Sequence, residues 1–279
     1  MNLSQLIKHA LQEDIGNGDH SSLAAIPETA KGKMKLLAKE NGIIAGIEVA
    51  KEVLRQVDPA ISMQCLKNDG DEIIIGDIVF ELEGLARSML TAERTLLNFM
   101  QRMSGIATVS KQYTDAVKGT KTKILDTRKT TPNLRAFEKY AVKIGGSENH
   151  RFGLYDMIML KDNHIDFAGG IEKAIDDTHE YLKKNRLNLK IEIETRTLDE
   201  VKRVIKHGKI DRIMLDNFTP EKIKEALQLI DRKYETEASG GITLKNIATY
   251  ADTGVDYISI GALTHHIKSL DLSLKFIAL

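Results

Sequence analysis

The chain has 279 residues, which suits two domains or one large α/β domain, since a typical domain has about 150 residues. Its 40 basic and 40 acidic residues give a net charge of zero, which disfavours nucleic-acid or membrane binding driven by overall charge. The single cysteine cannot form an internal disulfide, no secretion signal opens the chain, and no apolar stretch approaches the roughly 20 residues of a membrane span. We therefore expect an ordered cytoplasmic protein with no nucleic-acid and no membrane partner.

The N-terminal part of the sequence predicts a small α/β unit. Apolar residues recur at helical spacing over Leu3–Leu11, which predicts an amphipathic helix that ends near residue 16. Between Gly32 and Gly84 short apolar runs alternate with turn signals, and one helical stretch, Val49–Val57, lies between them. Two further helices are predicted, Ser88–Gly105 and Ile106–Lys118.

The rest of the chain predicts a repeated βα architecture. Six short apolar strands are centred near Leu125, Met159, Ile193, Met214, Glu237 and Ser259. The last four are about 22 residues apart, the length that a strand, a crossover helix and a return need. Helical segments at Asp199–Lys206, Pro220–Asp231 and Leu244–Asp252 fill those gaps. This pattern predicts a six-stranded barrel or an open doubly wound sheet, and the spacing alone does not decide between them.

Cations gather where the first predicted strands end. In either architecture the functional residues lie at the carboxyl edge of the strands. Arg128 and Lys129 follow the first strand, Arg151 precedes the second and Lys161 follows it. Arginine offers a planar fork to carboxylate or phosphate and lysine a mobile charge, so together they predict a substrate with several negative charges. Any one of them alone would more often be a surface charge.

Acidic residues and glycines occupy the later strand ends. Glu192 and Glu194 point to the same side of their strand, and if that side is inward, Glu194 can work with Asp216 on sugar hydroxyls or on Mg²⁺ bound to phosphates. The run Ser239-Gly240-Gly241, together with Gly261, fits a phosphate cradle, because backbone N–H groups approach an anion closely where no Cβ intervenes. A solvated acidic pair and a simple turn are the alternative interpretations.

Several long motifs resemble the quinolinate phosphoribosyltransferase family, also called nicotinate-nucleotide pyrophosphorylase (carboxylating). In the second half they are LDTRKTTPNLR from residue 125, EKYAVKIGGSENHRFGLYDMIMLKDNHI from 138, MLDNF from 214, EASGGI from 237 and DYISIGALT from 256. In the first half they are EDIGNGD from residue 13 and NFMQRMSGIAT from 98. Because these motifs occur in one order over nearly the whole chain, the resemblance is specific.

The resemblance implies an N-terminal α/β sandwich domain over residues 1–108 and a six-stranded α/β barrel catalytic domain over residues 109–265, with a tail of about 266–279 packing back on the first domain. It implies a pentosyltransferase that joins quinolinate to phosphoribosyl pyrophosphate with Mg²⁺. The products would be nicotinate mononucleotide, pyrophosphate and CO₂, in NAD biosynthesis. At least a homodimer is expected, with a homohexamer left open.

The resemblance also implies roles for individual residues. The carboxylates of quinolinate would contact Arg128, His150 and Arg151, with Arg102 reaching in from a neighbouring subunit. Lys129 and Lys161 would serve the pyrophosphate end and the quinolinate interface. Glu194 and Asp216 would bind ribose and Mg²⁺, the metal directly or through water or substrate. A phosphate would lie at Ser239, Gly240, Gly241 and Gly261. The expected catalytic residues are Lys129, Lys161, Glu194 and Asp216.

Two departures and two rivals accompany the resemblance. Asn133 and Ser147 stand where the family has glycine, and since both residue types tolerate turns we expect altered loop detail rather than lost activity. A nicotinate phosphoribosyltransferase has a related barrel, but the paired Arg128 and Arg151 favour a dicarboxylate. The other alternative is a phosphoribosyl-pyrophosphate-binding paralogue, associated with molybdenum transport or regulatory, without quinolinate activity.

Overall fold

The computed structural model describes residues 3–277, which form two compact units. The first unit comprises the described residues up to Lys111, Thr130–Gly146, and those from Leu263 onward. The second unit comprises Gln112–Lys129 and Ser147–Ala262.

The helices are α1 Leu3–Ile15, α2 His20–Ala25, α3 Ile47–Val57, α4 Ala86–Ala116, α5 Arg135–Ile144, α6 Asp162–Ala168, α7 Ile171–Asn185, α8 Leu198–His207, α9 Pro220–Ile230, α10 Ile247–Ala251 and α11 Ala262–His265. The strands are β1 Lys31–Ala38, β2 Gly42–Ile43, β3 Ser62–Cys65, β4 Glu72–Ile73, β5 Ile78–Leu85, β6 Lys123–Leu125, β7 Ile158–Leu160, β8 Ile191–Thr195, β9 Arg212–Asp216, β10 Glu235–Ser239, β11 Tyr257–Ser259 and β12 Leu272–Ile277. None of these helices has the length and apolar character to cross a membrane.

The first unit is built on an antiparallel sheet in the order β12-β1-β5-β3. Along β1 every second side chain is buried, including Met34 and Leu36, which is the period of a strand with one face on a core. The C-terminal strand β12 pairs with β1, with Leu36 opposite Leu274. Strand β12 therefore belongs to the sheet of the first unit.

Helix α4 is continuous, so the predicted division into two helices at Gly105 was wrong. A Cβ built on Gly105 would overlap the carbonyl oxygen of Lys268 and lie 3.1 Å from Cγ2 of Ile267. Glycine at this position therefore permits the close approach of the C-terminal segment to the helix and does not mark a helix end.

Helix α5 belongs to the first unit, although we expected it within the domain at residues 109–265. The ring of Phe137 packs on Phe99 with centroids 4.9 Å apart, and the Tyr140 hydroxyl donates to Asp69 at 2.8 Å. These contacts join α5 to residues more than thirty positions earlier in the chain, which sequence periodicity does not reveal. The domain boundaries themselves stay a prediction.

The second unit contains a parallel sheet in the order β6-β11-β10-β9-β8-β7. Its strands lie at all six predicted centres, and α8 and α9 match two of the predicted crossover helices. An isolated parallel bridge joins Leu125, at the end of β6, to Glu148. The side chains of β8 are buried on both faces, as in a sheet covered by helices on one side and closed over a core on the other. The predicted fold class, α/β with a smaller N-terminal domain and a six-stranded α/β domain, is confirmed.

Candidate active site

The parallel sheet places most of the predicted site residues at one edge. Because the carboxyl ends of parallel strands meet at the same edge, residues that end or follow these strands lie near one another. They are Arg128 after β6, Lys161 after β7, Glu194 near the end of β8, Asp216 at the end of β9, Ser239 at the end of β10 and Gly261 after β11.

Lys161, Glu194 and Asp216 form one electrostatic group at this edge. Nζ of Lys161 lies 3.7 Å from Oε2 of Glu194, and the backbone N–H of Asp162 donates to the Glu194 carboxylate. Burial raises the pKa of Glu194, and the negative charges of Asp216 and Asp162 act in the same direction, while Lys161 opposes them. Glu194 and Asp216, which the sequence predicted to act together, thus interact with each other and with Lys161.

The glycine turn after β10 packs directly beside Asp216. Asn217, at φ +56°, donates from its side-chain amide to Oδ2 of Asp216 at 2.5 Å, and its backbone N–H donates to the Ser239 carbonyl at 2.8 Å. Gly240 has φ +93°, and a Cβ there would overlap Oδ1 of Asn217. Gly241, at φ +65°, would direct a Cβ into open space. The predicted phosphate cradle thus lies next to the predicted ribose carboxylate.

Arg128 and Arg151 are close enough to affect each other. Burial lowers the pKa of the Arg151 guanidinium, and the positive charge of Arg128 lowers it further. Nη1 of Arg151 donates to the Met157 carbonyl at 3.1 Å, which fixes one side of the guanidinium. Arg128 and Lys129 are exposed on the loop after β6. Two arginines whose charges act on each other favour a ligand with two negative charges.

The His150 ring points into the interior of the second unit. Its side chain is 4% exposed, and Nε2 lies 3.0 Å from Oε2 of Glu192 and 3.3 Å from Oε2 of Glu237. The backbone N–H of Arg151 donates to Nδ1 at 2.6 Å. Both ring nitrogens thus face protein groups, and the expected contact of His150 with a substrate carboxylate stays a prediction.

The acidic partners of His150 form a buried cluster with an arginine. Glu192 and Glu237 are fully buried, and Nη1 of Arg212 lies 3.0 Å from Oε2 of Glu237. Burial and the neighbouring Glu237 carboxylate raise the pKa of Glu192 to about 7. The sequence pointed to Glu192 as a site residue but not to Glu237 or Arg212. The period of two along each strand could have found them, because Glu237 precedes Ser239 by two residues and Arg212 precedes Asp216 by four.

The spacing of this cluster would also suit a metal ion, but its hydrogen bonds do not. One ligand atom each of His150, Glu192 and Glu237 lies within 4.8 Å of the others. However, the N–H of Arg151 needs the lone pair on Nδ1, which places the ring proton on Nε2. Nε2, which lies 3.0 Å from Oε2 of Glu192 and 3.3 Å from Oε2 of Glu237, then carries a proton and is not a metal ligand.

Arg102 is held within the first unit by its own chain. Its Nη2 lies 2.6 Å from Oε1 of Glu138 and 2.8 Å from Oγ1 of Thr131, and it donates to the Thr264 carbonyl at 3.2 Å. Glu138 is 1% exposed whereas Arg102 is 29% exposed, and Arg102 lines a 480 Å³ cavity of this unit beside Asn98. Glu138, which the sequence did not indicate as a site residue, anchors Arg102 and leaves part of its side chain accessible.

The two departures from the family glycines are accommodated locally. Asn133 has φ +65°, a conformation that asparagine adopts more readily than most residues. Ser147 is buried, and its hydroxyl lies 3.0 Å from Oγ1 of Thr114. Neither substitution interrupts a strand of the second unit.

Family models match both parts of the chain: "Quinolinate phosphoribosyl transferase, N-terminal domain" over residues 19–104 and the corresponding C-terminal domain over residues 106–275. The chain is 46% identical to quinolinate phosphoribosyltransferase [decarboxylating] 2b, mitochondrial, of Nicotiana tabacum, with 98% of this chain and 82% of that protein covered. It is 42% identical to the probable nicotinate-nucleotide pyrophosphorylase [carboxylating] of Bacillus subtilis, with 98% and 93% covered.

Solved structures agree with the family models. The crystal structure of NadC from Streptococcus pyogenes superposes with a TM-score of 0.93 at 41% identity, covering 99% of this chain and 97% of that one. A human nicotinic acid phosphoribosyltransferase shares the fold alone, at 13% identity and a TM-score of 0.65, with 100% of this chain and 74% of that one covered. This chain belongs to the quinolinate phosphoribosyltransferase family.

Proposed function

We propose that this chain is a pentosyltransferase that transfers phosphoribosyl from phosphoribosyl pyrophosphate to quinolinate with decarboxylation. The products are nicotinate mononucleotide, pyrophosphate and CO₂, a step of NAD biosynthesis. One observation supports this most directly. The like-charged pair Arg128 and Arg151 lies in loops next to strands of the same parallel sheet that carries the Lys161, Glu194 and Asp216 group. The first pair suits a dicarboxylate and the second group suits a ribose that bears pyrophosphate.

The arginine pair accounts for the choice of quinolinate over nicotinate. Two neighbouring guanidinium groups repel each other, and a ligand with two carboxylates relieves that repulsion at both. Decarboxylation requires that the 3-carboxylate stay bound while the 2-carboxylate leaves. We assign part of that discrimination to Arg151, with His150 next to it.

The acidic and basic residues at the other strand ends fit a displacement at the anomeric carbon. Such a displacement develops positive charge on the ribose, which the carboxylates of Glu194 and Asp216 favour. Lys129 and Lys161 would bind the pyrophosphate as negative charge grows on it. The pyridine nitrogen is already nucleophilic, so the site needs no general base for attack. Ser239, Gly240, Gly241 and Gly261 would bind a phosphate through backbone N–H groups.

The residues at this edge fit Mg²⁺. Burial raises the pKa of Glu194 although Lys161 opposes it, and the charge of Asp216 raises it further, so two carboxylates interact here. Carboxylate oxygens are ligands that suit this ion. Glu194 and Asp216 would hold it, directly or through water or substrate. When bound, Mg²⁺ neutralises the charge of the pyrophosphate group.

We further propose that the working unit is at least a homodimer, a hexamer being left open, and that it acts in the cytoplasm. Arg102 is anchored by Glu138 yet partly exposed, which suits a residue that completes the site of a neighbouring subunit. The single cysteine fits a reducing compartment. The paralogue without quinolinate activity is not favoured, because relatives covered over almost the whole chain are named for quinolinate.

The activity is tested with purified protein, phosphoribosyl pyrophosphate and Mg²⁺, with CO₂ release and nicotinate mononucleotide measured together. Quinolinate should be converted and nicotinate should be a very poor substrate, at least about 100-fold lower in kcat/KM, because one guanidinium of the Arg128 and Arg151 pair would then have no carboxylate partner. Equal use of both substrates would refute the dicarboxylate assignment. No product from quinolinate would refute the proposed function itself.

The shared site is tested by subunit mixing. Arg102→Ala and Lys161→Ala should each abolish most activity, whereas mixed oligomers should regain part of it, because some sites then contain both native residues. Absence of recovery in oligomers shown to be mixed would contradict the role of Arg102 across the interface.

A further inference from the structure

The buried cluster below the carboxyl edge of the parallel sheet contains several charged side chains, which is unusual for a protein core. Glu192 and Glu237 are both fully buried, and Arg212 lies beside Glu237. Buried carboxylates are costly unless hydrogen bonds and opposite charge compensate them. Two carboxylates against one guanidinium leave a deficit of positive charge, and Nε2 of His150 lies 3.0 Å from Glu192 and 3.3 Å from Glu237.

The other side of the His150 ring leads toward the predicted substrate site. The backbone N–H of Arg151 donates to Nδ1 at 2.6 Å. In the same turn the backbone N–H of His150 donates to Oδ1 of Asp126 at 2.8 Å, and Asp126 is fully buried. Asp126 precedes Arg128 by two residues, so His150 joins the loop of Arg128 to the loop of Arg151.

The two arginines need such an anchor. Burial lowers the pKa of Arg151 and the like charge of Arg128 lowers it further, as expected for guanidinium groups that repel each other. We call Arg128 and Arg151 the carboxylate clamp. Two guanidinium groups that repel each other keep their geometry only if the backbone that carries them is fixed. The Met157 carbonyl holds one end of the Arg151 side chain, and the ring of His150 holds its backbone.

We propose that Glu237 and Glu192 are positioning residues for the carboxylate clamp: they fix the His150 ring, and through it the backbone that presents Arg151 next to Arg128. This inference rests on the proposed function. This positioning affects the binding of quinolinate and leaves the Lys161 and Glu194 group unchanged. Ser259 donates a hydrogen bond to Glu237 from the next strand and keeps that carboxylate in place.

The test compares two glutamates on the same strand. Glu237→Gln replaces one carboxylate that faces His150 by a neutral amide of the same shape. Glu235→Gln is the matched control, since Glu235 precedes it by two residues and pairs with Arg212 at 3.1 Å instead of with the His150 ring. We expect Glu237→Gln to raise KM for quinolinate about tenfold or more, with KM for phosphoribosyl pyrophosphate within about twofold. Glu235→Gln should change neither KM by more than about twofold.

A double-mutant cycle separates positioning from a general loss of structure. If Glu237 acts through His150, Glu237→Gln should add little to the KM defect of His150→Ala. Additive effects, equal changes in both KM values, or an unchanged KM for quinolinate would each overturn the proposal. If the wild-type protein converts no quinolinate, the proposed function fails instead, so the two failures are distinguishable.

A spectroscopic measurement on the wild-type protein does not depend on how the variant folds. Nitrogen-15 NMR of the histidine rings distinguishes the two neutral tautomers, and the His150 signals are those absent from His150→Gln. Burial lowers the pKa of His150, but Glu192 and Glu237 raise it to about 9, so the tautomer is measured above that pH. We expect the proton on Nε2, both without ligand and with quinolinate bound. A proton on Nδ1 would overturn the proposal, because the Arg151 N–H could then not donate to the ring.

Discussion

The turn that follows β10 allows a sharp prediction about a single methyl group. Gly240 has φ +93°, and a Cβ there would overlap Oδ1 of Asn217, lie 2.7 Å from Cγ and lie 3.1 Å from the backbone N. Gly241, the next residue, has φ +65°, and its Cβ would meet nothing within 4 Å. The two glycines share an unusual backbone conformation but differ in the space beside them.

The expected cost of Gly240→Ala has two parts. A side chain in the left-handed region costs about 1 to 2 kcal/mol, and forcing a methyl group into an occupied space adds about 1 to 3 kcal/mol. We expect a loss of about 3 kcal/mol for Gly240→Ala. For Gly241→Ala only the backbone cost remains, about 1 kcal/mol.

The assay is thermal unfolding of both variants beside the wild type. For a chain of this size each kcal/mol corresponds to roughly 2 to 4 °C, so Gly240→Ala should lower Tm by about 6 to 12 °C and Gly241→Ala by about 2 to 4 °C. Gly240→Ala should also lower kcat/KM for phosphoribosyl pyrophosphate about tenfold or more, because Asn217 holds Asp216 through the 2.5 Å hydrogen bond.

The contact can be tested from the other side as well. Adding Asn217→Gly to Gly240→Ala removes the atoms that the methyl group would overlap, and we expect part of the stability to return. Equal Tm losses for the two alanine variants, or no recovery in the double variant, would refute the reasoning that Asn217 sets the constraint on Gly240.

Two further predictions concern the first unit. Gly105→Ala should lower Tm by more than about 5 °C without ending helix α4, because its Cβ would overlap the Lys268 carbonyl; circular dichroism should show unchanged helix content, and a loss of helix would contradict this account. Glu52 accepts hydrogen bonds from Arg55, Ser4 and Gln56, which lower its pKa to about 2, so its contribution is complete above pH 4.5 and is lost as pH falls toward 2. Glu52→Gln should therefore cost about 1 kcal/mol at pH 7, allowing for solvent screening, and the difference from wild type in urea unfolding should shrink below pH 4.5; a constant difference would contradict it.

Much of the second unit follows from local sequence pattern. Each of the six strand centres is a short apolar run between polar segments, and the spacing of about 22 residues leaves room for little besides a crossover helix. Once the strands are parallel, their carboxyl ends must share an edge. The sequence could therefore predict that three residues from different βα units share this edge: Lys161, Glu194 and Asp216.

Other features depend on contacts that no local pattern contains. Gly105 suggested a helix end, but the reason for the glycine is the Lys268 carbonyl, far away in the sequence. Helix α5 clusters with the first unit because Phe137 and Glu138 meet Phe99 and Arg102. Periodicity shows which face of a helix is apolar but not which surface covers it.

The sequence by itself determined the fold class, the order of the βα units and most of the charged residues at the strand edge. Only the tertiary structure decided where those side chains point. The sequence did not reveal, for example, that Nε2 of His150 faces Glu192 and Glu237. The physical reason is that the alternation of side chains along a strand fixes which of its residues share a face. Which residues they meet across the interior depends on the register of strands that are distant in sequence.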